Sequence, residues 1–177
     1  IDQELVPTTA PDFAVIRTSA MPGDASKDWD NAAVLQADRI QSLDPTGFTV
    51  GADPTVNAAG RTYHWVAFEA APGKLKVGFY DGLEGVQGIT GIGFQPEYVI
   101  VMPASAANTS HQSSAMPVGT TYEFDAISFL NGIQALQADG FQVGPDARVN
   151  ALGTRYYYAA WNAAPGEMAV GQYPGNG

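Results

Sequence analysis

The chain of 177 residues contains no cysteine. That removes disulfides, thiol nucleophiles, iron–sulfur clusters and cysteine zinc sites together, and leaves the redox compartment open. Basic residues are scarce: 8 Lys and Arg stand against 18 Asp and Glu, a formal net charge of -10, which repels phosphate backbones and anionic membrane surfaces. Nucleic acid is therefore not an expected partner. No apolar run approaches the roughly 20 residues that a spanning helix needs, so membrane insertion is not expected either. Histidine occurs only twice, and neither a nucleophile elbow, a P-loop nor a dinucleotide-binding glycine pattern is present. Charged residues make up 15% of the chain against 45% hydrophobic, enough apolar surface to build a packed core and too little charge for a disordered chain. The numbering opens on Ile1, which fits a processed chain from which an export signal has been removed.

What the chain does have is an internal repeat. Residues 47–82 align without a gap on 140–175 at an offset of 93, with 19 of 36 positions identical. Upstream, Ile40, Gln41 and Leu43 recur as Ile133, Gln134 and Leu136, and Ser19–Pro22 recurs as Ser114–Pro117 at an offset of 95. Pro11-Asp12-Phe13 answers Pro96-Glu97-Tyr98 at an offset of 85, which places an insertion of about ten residues within 99–113, where a loop absorbs length cheaply. The chain therefore divides into a first repeat domain with an amino-terminal tail, residues 1–85, and a second repeat domain, 86–177.

Each copy reads as β structure. Tyr63–Phe68 and Tyr156–Trp161 are apolar on both alternating faces, so both are expected as central core strands. Ala-Pro-Gly at 71–73 and 164–166 is a turn signal, which predicts a hairpin from each core strand into Lys74–Tyr80 and Glu167–Tyr173. Phe48–Val50, Phe141–Val143, Tyr98–Met102 and Phe13–Ile16 supply further short strands, and segments 32–43 and 126–137 are read as strand rather than helix. With 20 Gly and 12 Pro punctuating short segments, the expected fold is all-β: two tandem homologous antiparallel β-sandwich or jelly-roll-like domains.

The pattern G-F-x-V-G-x-D-x-x-V-N-A-x-G, followed by Y, A, A-A-P-G and V-G-x-Y-x-G, resembles a tandem β repeat of about 90 residues in secreted bacterial proteins and in phage tail-associated segments. The resemblance covers most of both copies and implies an extracellular structural or adhesive module. It carries no catalytic residue over. Ile1–Ala10 departs from the Ile89–Gln95 segment that leads into the second copy.

The side chains offer little chemistry beside this. His64 falls on a core strand where the second copy has Tyr157, and reads as a packed histidine. His111 lies near Ser110, Ser113 and Ser114, a polar neighbourhood without the spacing of a hydrolase motif. Asp24, Asp28 and Asp30 crowd one loop and would supply hard ligands to Ca2+, although the spacing is not that of an EF-hand, Lys27 intrudes, and the second copy has Gly119, Glu123 and Asp125 there. A solvated acidic loop is the preferred reading, with no cofactor expected. Trp29, in that same loop-like stretch, is the candidate contact to a surface glycan.

An enzyme is not expected. The second copy is led into by the covalent junction 82–96, whereas the first copy carries a tail tipped by Ile1, Leu5 and Val6. The expected function is a subunit of an extracellular filament, a homopolymer in which that tail adds as a strand to a neighbour, head to tail. The alternative is a carbohydrate-binding or adhesion module, as on a phage tail.

Overall fold

A computed structural model describes residues 14–29, 31–124, 127–163 and 168–175. The elements in chain order are β1 (Val15–Ile16), β2 (Lys27–Asp28), β3 (Ile40–Asp44), β4 (Gly47–Val50), α1 (Pro54–Asn57), β5 (Leu75–Asp81), β6 (Gln87–Thr90), β7 (Tyr98–Pro103), β8 (Ser110–Ser113), β9 (Thr120–Glu123), β10 (Ser128–Leu130), β11 (Ile133–Gln137), β12 (Gly140–Val143), α2 (Ala147–Asn150) and β13 (Arg155–Trp161). The fold is all-β, and every strand pairing is antiparallel. Among the described residues no helix is long and apolar enough to cross a membrane.

A six-stranded sheet in the order β10-β9-β8-β7-β13-β5 packs on a three-stranded sheet in the order β11-β12-β6. The core between them follows from strand alternation. Tyr156, Tyr158 and Ala160 of β13 and Val99 and Val101 of β7 point one way, onto Ile133, Phe141, Val143 and Ile89. Tyr157 and Ala159 point the other way, with Ile100 and Met102, onto Met21, Ile16, Trp29 and Leu35 of the first copy. The strand expected at the centre of the second copy is thus central and buried on both faces.

Within segment 126–137 the expected strands form as β10 and β11, and 32–43 enters strand at Ile40. The two short helices are the same device used twice. Asp53 caps α1 by accepting from the Thr55 amide at 2.8 Å, and Asp146 caps α2 by accepting from the Arg148 amide at 2.9 Å. Each following tyrosine then staples its helix. Tyr63 donates to the Pro54 carbonyl at 2.9 Å and accepts from the Ala58 amide; Tyr156 donates to the Ala147 carbonyl at 2.6 Å and accepts from the Ala151 amide.

One expectation needs correction, and the turn expected at 164–166 lies outside the described residues. The Ala-Pro-Gly turn at 71–73 does form, with the Lys74 amide donating to the Ala71 carbonyl at 3.0 Å, but it does not fold β5 back onto Tyr63–Phe68. Residues 61–70 are exposed and outside any strand, so His64 is no packed core residue, and β5 lies instead on β13 of the second copy. β1 pairs with β2 as Val15 with Asp28, and β8 pairs with β9 as Ser110 with Glu123, the same pairing at a constant offset of 95. β1 is therefore the counterpart of β8, while Pro11–Phe13, on which the expected insertion rests, lie outside the described residues.

Phe141 is fully buried, edge-on to Tyr158 at 5.4 Å and to Tyr80 at 6.2 Å. Phe141→Ala leaves a cavity between the two sheets, and denaturant unfolding is expected to show a loss of about 3–5 kcal/mol. Phe48→Ala, at the half-buried counterpart in the first copy, is expected to cost clearly less.

Candidate functional site

The feature that sets this chain apart from two independent sandwiches is the edge of β13. One edge is taken by β7 of its own copy, in a register that sets Tyr158 opposite Val101. The other is taken by β5 of the preceding copy over seven residues, from Arg155 opposite Asp81 to Trp161 opposite Leu75. Tyr80 and Tyr156 stack across this pairing at 5.2 Å and 15°. Tyr80 also donates to the Val149 carbonyl at 2.6 Å, and burial raises its pKa well above the ordinary tyrosine value. Gly78 faces Tyr158, and a Cβ placed there would lie 2.5 Å from the Tyr158 hydroxyl oxygen and 2.6 Å from its ring carbon Cζ. Only glycine leaves room for that ring. Arg155 clamps the far end, donating to both oxygens of Asp81 at 2.8 and 3.0 Å on the surface. The Glu84 amide donates to the Asn150 carbonyl at 2.9 Å, and the chain then enters β6, which pairs with β12. The first copy thus supplies the strand β5 to the six-stranded sheet, and the chain continues without a break into β6, the first strand of the second copy.

In the first copy the counterpart of β13, at the offset of 93, is Thr62–Phe68. Its inner side chains already hold the positions that β13 uses. Besides the Tyr63 staple, Trp65 lies edge-on to Phe48 at 5.4 Å and 73°, as Tyr158 lies to Phe141 at 5.4 Å and 75°. Yet no strand pairs with it, and Trp65 and Phe68 are 70% and 63% exposed. The counterpart of β5, Met168–Pro174, is also outside any strand, and its Tyr173 is 90% exposed. The sequence shows the repeat but not this difference, because both copies carry the same local signals.

The sequence-nominated residues are placed as follows. Ile1, Leu5, Val6 and Asp30 lie outside the described residues. Trp29 is half-buried, edge-on to Phe124 at 4.6 Å, with a buried Nε1 that has no hydrogen-bond partner. Asp28 is buried and accepts from the Arg39 guanidinium, while Asp24 accepts from the Asp38 amide at 3.2 Å. These two carboxylates face different partners, and among the described residues no three His, Cys, Asp or Glu side chains group to hold a metal ion.

Lys27 and Arg39 are what the sequence reading missed. Lys27 is fully buried and donates to the Ala33 carbonyl and, at 3.0 Å, to the Ser105 carbonyl of the second copy. Burial lowers its pKa to about 8. Arg39 bridges Asp28 and Asp53. Arg148 makes the corresponding bridge between Glu123 and Asp146, whose positions match Asp28 and Asp53 at the repeat offsets. The signal was there, since four acidic positions recur in pairs in a chain with few arginines to neutralise them.

His111 stacks on Phe124 at 4.2 Å and meets Tyr98 edge-on at 5.6 Å. Its Nδ1 and the Ser110 Oγ are both buried and unpartnered, so the two are not bonded to each other. Ser113 is buried, and Ser114 donates to the Glu97 carboxylate. In comparisons with family models, curated proteins and solved structures, nothing matches this chain.

Burial pushes the His111 pKa down to about 4 from the ordinary 6.5. The unfolded chain therefore binds the extra proton between those values, and stability contributed at neutral pH is lost as pH falls from 6.5 toward 4. Denaturant unfolding at pH 7 and pH 4.5 is expected to show that His111→Phe, which keeps the aromatic stack, reduces this loss by on the order of 2 kcal/mol.

Proposed function

We propose that this protein is a structural subunit of an extracellular filament whose subunits join head to tail by strand addition. The observation that supports this reading best is the pairing of β5 on β13: a strand of one copy completes the sheet of the next. Backbone hydrogen bonding over seven residues carries that junction, and it asks of the side chains only size and alternation. A junction of that kind is repeatable between molecules wherever a bare edge and a bare strand of matching pattern exist. Because donor and acceptor are different segments, the contact is head to tail, and a rotation that does not close produces a filament rather than a ring.

The tail around Ile1, Leu5 and Val6 is the donor that the sequence nominates, and it lies outside the described residues. Placement outside the cell rests on the resemblance to secreted β repeats. A second reading, a carbohydrate-binding or adhesion module, is favoured by the exposed ring of Trp65, which is better presented for stacking on a sugar than the half-buried Trp29.

Negative-stain imaging of the purified protein over a concentration series is the direct check. Filaments that lengthen with concentration are expected. Monodisperse particles at every concentration reject assembly, and glycan-array binding that Trp65→Ala abolishes, in a preparation without filaments, establishes the second reading instead.

A further inference from the structure

Two segments of this molecule hold the sequence of a strand without its pairing. Thr62–Phe68 repeats β13, and Met168–Pro174 repeats β5, yet neither lies in a sheet. We infer that these segments are each other's partners in different molecules: Met168–Pro174 of one subunit pairs antiparallel with Thr62–Phe68 of the next, in the register that β5 takes on β13. The inference rests on the strand-addition reading above and names the two segments that make the join.

The template for the join is inside the chain. Transferred by the offset of 93, the observed register sets Phe68 opposite Met168, Val66 opposite Val170, Trp65 opposite Gly171 and Tyr63 opposite Tyr173. The side chains fit that register for the reasons that hold in β5. The ring of Tyr158 requires a glycine opposite it, at Gly78. Trp65 is larger still, and the donor segment keeps Gly171 at that place. Tyr80 stacks on Tyr156, and Tyr173 retains the ring that would stack on Tyr63. Val66 and Val170 are a β-branched cross-strand pair, favourable on a sheet.

The acceptor needs no rearrangement of its own core. Tyr63 already staples α1, and Trp65 already sits against Phe48, the contacts that fix β13 on α2 and Phe141. What it lacks is the partner on the β5 side. In the second copy that partner comes from the copy before it in the chain, and for the first copy the equivalent place is the second copy of a neighbouring subunit. The other edge of β13 belongs to β7 of its own copy. Exposure of Trp65, Phe68 and Tyr173 together is a cost in water that one pairing removes for donor and acceptor alike.

The absence of cysteine gives a clean test. A subunit carrying only V66C is mixed with a subunit carrying only V170C and a size tag, and the mixture is oxidised. Cα atoms directly opposite in an antiparallel pair lie within disulfide reach, about 4.5–5.5 Å, so a disulfide-linked heterodimer is expected, with far less product from V66C and Q172C, which stand two residues out of register. The doubly substituted V66C/V170C chain is expected to give a ladder of covalent oligomers. If it closes on itself as a cross-linked monomer, or if the out-of-register pair links equally well, the inference is wrong. Gly171→Val is expected to raise the concentration needed for assembly about tenfold or more, without moving the thermal unfolding midpoint. Removal of residues 168–177 is expected to abolish filaments with the same midpoint retained. Filaments that survive that removal and vanish on removal of residues 1–8 make the tail the donor, which overturns this inference and leaves the filament reading standing. Intact protein that assembles at no concentration overturns both.

Discussion

The structure depends on one backbone pairing, β5 on β13. Without it the six-stranded sheet would end at β13, a strand whose side chains are buried on both faces but whose amides and carbonyls would face water along one side. A strand so apolar on both faces makes a poor sheet edge, because an exposed edge of that kind is a template for association. β5 covers it, and the same stretch of chain runs on to β6 and closes the three-stranded sheet as well. The six-stranded sheet of the second copy is therefore completed by a strand that the repeat assigns to the first copy. Repeat boundary and sheet boundary do not coincide, and the offset between them is about one strand.

Much of the fold was legible because its signals are local. Alternating apolar runs gave β7 and β13, and glycine-bounded Phe-x-Val gave β4 and β12. Those signals act over a few residues and are present in both copies, so both copies obey them: the helix caps, the tyrosine staples and the edge-on aromatic pairs repeat in nearly identical geometry. The choice of strand partner was not legible. Ala-Pro-Gly specifies that the chain turns, but not which edge the following strand meets. A hairpin between neighbours has the lower closure entropy, and that reasoning favoured pairing within the copy. It loses here because β13 buries both faces between two layers, while Thr62–Phe68 has the inner contact to Phe48 and α1 and the edge-on contact of Phe68 with Trp161 of the second copy at 5.7 Å, which leave Trp65 and Phe68 mostly exposed.

Charge was the other misjudged element. Taken by themselves, Asp24 and Asp28 read as part of a solvated acidic loop. In the fold, Asp28 shares Arg39 with Asp53, the cap of α1, and Glu123 shares Arg148 with Asp146, the cap of α2, so one arginine bridges each pair of carboxylates. The arginines come from different positions, Arg39 before β3 and Arg148 within α2, so no repeat search aligns them. Position in the chain differs while position in space is kept. Burying Asp28 alone would be costly; with Arg39 beside it the group is neutral as a pair, and breaking such a pair costs more than the pair contributes. The same holds for Lys27, whose charge is carried by carbonyls of both copies, which makes it part of the seam between them.

Seen through these contacts, the two copies differ in what surrounds them rather than in what they encode. The second copy has a strand from before it and a layer from the first copy over its outer face; among the described residues Thr62–Phe68 has no paired strand, and Phe68 meets Trp161 of the second copy edge-on. Identical local rules thus end in one buried strand and one exposed segment outside any strand. The exposed segment carries Trp65, Val66 and Phe68, residues that a free surface does not favour: at about 25 cal/mol per Å2, covering even half of such a segment is worth a few kcal/mol. The sequence retains there the alternation and the aromatic size of a core strand, and opposite it in register the glycine that a core strand of this type needs. Such features are informative only in a paired state, so the physical content of the repeat is an interface encoded twice and satisfied once within the chain.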